Sequence, residues 1–198
     1  MTRKATQKRS LILQGAVNVF VRKGYNAATM QDIVEECGIS RGGLYLYFDS
    51  TEAIFLALLT ENSQSMEQEF EQMMSEGLSF KDMMEHFFNE QKTELLQADN
   101  SMMTATYEFF LAHKNDQDRS FLQQQFELSV SSLTKALEYG VTRNEVHINN
   151  IEQVVRHIIL TIEGIRIYAL SVGISQHMLD EQIEMLKSLL FIPSLDLE

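Results

Sequence analysis

The chain has 198 residues, 44% of them hydrophobic, with 11 Met, 12 Phe and a single proline, Pro193. That length suits one ordinary domain or two small ones sharing a core, and so little proline leaves few interruptions to helices, so the fold class expected is all-α. One cysteine, no basic-then-apolar leader and no run of 18 apolar residues exclude an internal disulfide and a membrane span, and a cytoplasmic protein is expected. The net charge of −12 speaks against nucleic acid until its distribution is examined. Residues 1–51 carry seven Lys or Arg against four acids, an excess of +3, and the remainder carries nine against 24, an excess of −15. A basic head on an acidic body turns its N-terminal end toward a polyanion.

The first helix is expected over residues 4–23, with Ile12, Ala16, Val19 and Phe20 at helical spacing and Gly24 as its stop. Arg3, Lys4, Lys8 and Arg9 at its start are either phosphate contacts or a solvated basic face. A second, eight-residue helix begins after Thr29, whose partner three residues on is Asp32, and ends at Gly38. Its cap leaves amides free for a phosphate oxygen. Cys37 falls on the buried stripe of this helix with Met30, Ile33 and Val34, a structural thiol rather than a reactive one.

Residues 40–48 read Ser-Arg-Gly-Gly-Leu-Tyr-Leu-Tyr-Phe. At 100° per residue Leu44 and Phe48 share one face, while Gly42, Gly43, Tyr45 and Leu46 lie opposite. Two adjacent glycines cost a helix roughly 2 kcal/mol relative to alanine, and close approach of the backbone to another surface is the usual compensation. Helix, glycine-containing turn and short helix form the helix-turn-helix layout, whose second helix enters the major groove. Arg41 can take guanine O6 and N7 together or clamp a phosphate. Tyr45 and Tyr47 offer hydroxyls to phosphates or ring edges to thymine methyls, or else pack half-buried. Leu46 makes an apolar contact or none.

A fourth helix follows, with Ser50 or Asp49 as its cap, Glu52 in its first turn and Ile54, Phe55, Leu58 and Leu59 as its buried stripe. Five more follow. Phe80, Met83, Met84, Phe87, Phe88 and Leu95 mark one, and Met102, Met103, Thr106, Tyr107, Phe110 and Leu111 the next. A long helix carrying Phe121, Leu122, Phe126, Val130, Leu133 and Leu137 should stop near Asn144, which tolerates the left-handed conformation. Residues 151–172 are apolar around most of the helix circumference, so one side should pack in the chain's own core and the other against something else. The last helix, residues 175–191, carries Leu179, Ile183, Leu186 and Leu190. Glu108, Arg156, His157, Glu163 and Arg166 lie in otherwise apolar segments: Glu163 and Arg166, three apart, pair with each other, or else one of the five anchors a polar ligand group or crosses a dimer seam.

Gly24-Tyr25, Thr29, Ile33, Gly38-Ile39-Ser40, Gly42, Leu44-Tyr45 and Tyr47-Phe48, followed by Ser50-Thr51-Glu52, resemble the N-terminal domain of the TetR family of bacterial transcriptional regulators. The resemblance is detailed over residues 8–58 and architectural beyond. It implies a DNA-binding helix-turn-helix domain at 1–50 and a ligand-binding and dimerisation domain at 51–198, the latter a bundle of about six helices that dimerises through its last two. It also implies that Gln31 matches a position that reaches a base in some members. The candidate DNA-binding residues are therefore Thr29, Gln31, Ser40, Arg41, Gly42, Gly43, Tyr45 and Tyr47. A pocket for a small apolar or amphipathic effector is implied within the body, with Met83, Phe87, Met103, Tyr107, Phe110 and Phe126 as candidate lining or simply core. Val155, Ile158, Ile162, Ile165, Ile183, Leu186 and Leu190 are the candidate dimer seam. The family's fourth helix usually opens with lysines that touch the DNA backbone, whereas Asp49 and Thr51 stand there in this chain.

Enzymatic readings find little support. His86, His113, His147, His157 and His177 show no metal-ligand spacing, and neither a phosphate loop nor a nucleophile elbow is present, although a site assembled from distant residues stays open. No enzyme, cofactor or metal is expected. The expected partners are a palindromic double-stranded DNA operator, a small-molecule effector and a second copy of the chain. Two other readings compete with a ligand-released repressor: a protein of this fold that has lost operator binding and regulates through protein contacts, and a helical small-molecule carrier.

Overall fold

The computed structural model describes residues 3–191, which form nine α-helices and one 3-10 turn (Ala98–Asn100) with no strand among them. In chain order these are α1 (Arg3–Ala27), α2 (Met30–Cys37), α3 (Arg41–Tyr45), α4 (Thr51–Ser75), α5 (Phe80–Leu96), α6 (Met103–Ala112), α7 (Asp116–Thr142), α8 (Ile151–Val172) and α9 (Gln176–Ser188). No described helix is long and apolar enough to cross a membrane.

Local chemistry sets the ends. Thr29, Ser40, Ser79, Asn150 and Ser175 each accept the amide of the third helical residue, starting α2, α3, α5, α8 and α9. A cap of this kind contributes about 1 kcal/mol by satisfying an otherwise orphaned donor. Helix α2 stops where Gly38 turns left-handed (φ 60°), with its N–H bonded to Glu35 O and that of Ile39 to Val34 O. Asn144 (φ 58°) ends α7 in the same way, the stop expected of it, with Glu145 N–H reaching Gly140 O at 2.9 Å. In α1 the helix breaks at Gly24 (φ 73°, ψ 178°) and then resumes to Ala27.

The chain divides into two compact units. The first takes the described residues up to Gln64 together with Ala98–Gln123, and so includes the start of α4 and all of α6. Its core is Ile12, Ala16, Phe20 and Val19 of α1, Ile33 of α2, Leu44 and Phe48 around α3, Ile54 and Phe55 of α4, and Ala105 and Phe109 of α6. The second takes Ser65–Gln97 and the described residues from Gln124 onward. There Phe80, Met83, Met84 and Phe88 of α5, Leu133 and Leu137 of α7, Val155 and Ile158 of α8, and Leu179 and Leu186 of α9 are buried.

In the second unit α7 packs closely on the first residue of α5. A Cβ added at Gly140 would lie 2.5 Å from Cγ of Phe80, a fully buried ring with nowhere to retreat. Alanine is intrinsically the better helix former by about 1 kcal/mol, but overpacking of a filled core costs about 1–3 kcal/mol. Gly140→Ala is therefore expected to lower the denaturant midpoint of the purified protein, and an unchanged or raised midpoint would contradict this packing.

Candidate nucleic-acid interface

Helices α2 and α3 are held to the first unit by Ile33 and Leu44, both fully buried, and by Phe48, nearly so. The opposite side of the recognition segment faces solvent. Arg41, Gly42, Tyr45 and Leu46 are exposed, Leu46 by 83%, while Gly43 and Tyr47 are half-buried, Tyr47 against the core. Thr29, Gln31 and Ser40 are also exposed, so six of the eight candidate residues are open to solvent and two are half-buried. Gln31 donates its side-chain amide to Glu35 at 2.8 Å.

The two glycines have different causes. A Cβ at Gly43 would press on the capping Ser40 Oγ at 3.1 Å, the atom that accepts the Gly43 N–H. At Gly42 nothing lies within 4 Å, so its missing side chain leaves bare backbone open to an incoming surface.

The cations differ as well. Arg9 pairs with Glu61 and lies over the Phe48 ring, Arg22 pairs with Glu36 at 3.0 Å, and Lys23 pairs with Asp32 at 2.6 Å. Arg41 makes no ion pair among the described residues; its guanidinium rests 5.7 Å from the Tyr45 ring centroid. The side chains of Arg3 and Lys4 lie outside those described. Cys37 sits half-buried with Sγ near the Leu11 and Ile12 carbonyls, and burial pushes its thiol pKa up, the state of a packing residue.

In the second unit a cavity of about 60 Å³ lies among α4, α5, α7 and α8. Phe87, Leu133 and Ile162 supply apolar wall, and Gln91, Ser129, Glu163 and Arg166 supply polar wall. Arg166 donates to Glu163 and Glu94, each at 2.8 Å, and to Gln91 at 2.7 Å, so the expected pairing of Glu163 with Arg166 is present within a larger cluster. Of the six candidate lining residues Phe87 borders this cavity. Met83 is fully buried elsewhere in the same unit, and Phe126 lies under the Arg156 guanidinium. Met103, Tyr107 and Phe110 belong to the first unit, Met103 buried and the other two half-buried. Gln91 and Ser129 have no mark in the sequence, because a lone polar residue on an amphipathic helix carries no signal.

Val155, Ile158, Ile162, Ile165, Ile183, Leu186 and Leu190, expected at a dimer seam, are all buried within their own protomer. The large apolar residues exposed on these helices are Leu160, Ile167, Tyr168 and Val172 of α8 and Met178 and Met185 of α9. Glu108 is likewise placed by a backbone need: its carboxylate accepts the Asn26 N–H at 3.0 Å and would lie 2.6 Å from a Cβ at Gly24.

Capped helix, left-handed glycine turn and short solvent-facing helix on a helical core define a helix-turn-helix protein. Residues 12–58 match the bacterial regulatory proteins of the tetR family, and residues 83–180 match the tetracyclin repressor-like C-terminal domain. The chain belongs to the TetR family of transcriptional regulators, a non-enzymatic family whose members bind DNA through this motif. It is 30% identical over 147 residues to the uncharacterized HTH-type transcriptional regulator YfiR of Bacillus subtilis, covering 73% of this chain and 71% of that one. Among solved structures it shares its fold with reduced NemR of E. coli (TM-score 0.77, 16% identity, 94% of this chain and 100% of that one). It likewise matches FadR of Bacillus subtilis in complex with stearoyl-CoA (TM-score 0.70, 20% identity, 92% and 99%).

The start of α2 makes the interface sensitive to acid. The Asp32 carboxylate accepts from Lys23 Nζ at 2.6 Å, from Thr29 Oγ1 at 2.8 Å and from the Thr29 N–H at 3.0 Å. These bonds, Lys23 first, hold its pKa down to about 2. A carboxyl group whose folded pKa lies below its unfolded one contributes stability present above the unfolded value and lost as pH falls through the folded one. Side-chain carbon shifts of Asp32 are expected to titrate near pH 2 rather than near the ordinary 3.8, with the α2 cap loosening between those values. An ordinary midpoint would show that the capping box does not hold in solution.

Proposed function

We propose that this regulator is a repressor that binds a palindromic operator as a homodimer and is released by a small apolar or amphipathic effector. The observation that carries the reading is the exposed side of residues 41–46, where bare Gly42 backbone, a guanidinium without an ionic partner among the described residues and two apolar or aromatic side chains face solvent together. An arginine so placed can take guanine O6 and N7 in the major groove, while Tyr45 and Leu46 reach thymine methyls or phosphates. Thr29, Gln31, Ser40 and Tyr47 are assigned to backbone contact and positioning. The domain at 1–50 then reads DNA, and the remainder, 51–198, binds effector and partner.

Leu160, Ile167, Tyr168, Val172, Met178 and Met185 are the residues assigned to the dimer seam, since they recur on the solvent face of α8 and α9. The effector reading rests on the mixed apolar and polar cavity of the second unit and on the family, one fold relative of which is solved with stearoyl-CoA. At about 60 Å³ that cavity is well below the roughly 300–1,000 Å³ of ordinary ligand pockets. An effector must therefore select a more open state, and its differential affinity for the two states supplies the release.

With Arg9, Arg22 and Lys23 already paired, Arg41 bears an unusual share of operator affinity. One bidentate base contact is worth about 1–3 kcal/mol. Arg41→Ala removes one such contact from each half-site and is expected to weaken binding to a selected operator about a hundredfold or more in fluorescence anisotropy, with the fold unchanged by circular dichroism. Wild-type affinity in that variant would remove Arg41 from base reading.

A further inference from the structure

We propose that Glu69, His86 and Glu90 form a binding site for a first-row divalent transition-metal ion that ties α4 to α5. The spacing of histidines in the chain hides this site, because its third donor lies 17 residues upstream on another helix. His86 and Glu90 stand one turn apart on α5, and Glu69 reaches them from α4. His86 Nε2 is 2.7 Å from one carboxylate oxygen of Glu69 and 3.7 Å from one of Glu90, and the three donor atoms lie within 4.8 Å of one another.

Metal bonds of about 2.0–2.2 Å at tetrahedral angles place neighbouring donors about 3.4 Å apart. The two observed separations bracket that value. All three side chains are close to half exposed, so movements under an ångström that would strain a core cost little here. Exposure also leaves room for water on the remaining coordination positions.

Charge distinguishes this cluster from its neighbours. On the same helices Glu67 and Glu71 are answered by Lys135, and Glu85 by Lys187. Among the described residues Glu69 and Glu90 have no lysine or arginine partner and converge instead on one imidazole. Two carboxylates around a single nitrogen donor suit a divalent cation better than they suit each other. The imidazole sets the class: zinc, nickel and cobalt accept nitrogen with carboxylate, whereas magnesium and calcium prefer oxygen alone.

The test is a calorimetric titration of zinc into tag-free, chelator-treated full-length protein. The expected result is one ion per chain with a dissociation constant in the micromolar range, unaffected by millimolar magnesium. His86→Ala and Glu69→Gln should each weaken it about tenfold or more, with helicity unchanged, and Glu90→Gln should weaken it in the same direction. Absence of zinc binding by the wild type would overturn the proposal. So would zinc binding that survives both His86→Ala and Glu69→Gln, which would place the ion on other histidines or Cys37.

Discussion

An aromatic knot in the first unit holds the DNA-facing motif in place. Phe20 of α1, Phe55 of α4 and Phe109 of α6 are fully buried, and Tyr25, just past the Gly24 break, packs against them with ring centroids 4.9 Å from both Phe55 and Phe109. His113 stacks on Phe109 at 4.1 Å and closes the group. Each buried phenylalanine contributes about 2–3 kcal/mol through area removed from water, and well-set ring pairs add about 1 kcal/mol. Burial, then the nearby Glu52 and Asp118 carboxylates, pushes the Tyr25 phenol up to about 12, so it stays neutral. The Gly24 break immediately precedes this ring, and Glu108 accepts the Asn26 amide just beyond it.

On that base α2 and α3 present a surface rather than a flexible loop. Leu44 and Phe48 point inward, and the left-handed Gly38 and the Ser40 cap set the angle at which α3 leaves α2. Exposed ion pairs are worth about 0–1 kcal/mol, so Arg9, Arg22 and Lys23 can exchange an acid for a phosphate, but each gains only the difference. Arg41 surrenders little more than water and a contact with Tyr45. On a chain of net charge −12, paired head cations of this kind keep sequence-independent attraction to a polyanion low.

Features decided within four or five residues were legible in the sequence. The Thr29 cap, the Gly38 turn, the left-handed Asn144 and the inward face of residues 44–48 all depend on local hydrogen bonds and side-chain spacing. Features decided by distant packing were not. Helix α8 is apolar on both sides, so nothing in its spacing says that Val155, Ile158, Ile162 and Ile165 turn inward while Leu160, Ile167 and Val172 stay exposed. Glu108 looked out of place in an apolar segment until its backbone partner was known, and Met103 and Phe87, alike in composition, belong to different units. Glu69 joins His86 only when α4 and α5 are packed together.

The central claim is that two copies of residues 41–46 read one DNA site. Selection of duplexes from a random pool by the purified protein at low salt tests it most directly. The account predicts enrichment of an inverted repeat whose half-sites are centred about one helical turn apart, roughly 34–36 Å, with a guanine in each half protected by Arg41. Failure to enrich any sequence, or enrichment of a single unrepeated site, would contradict it.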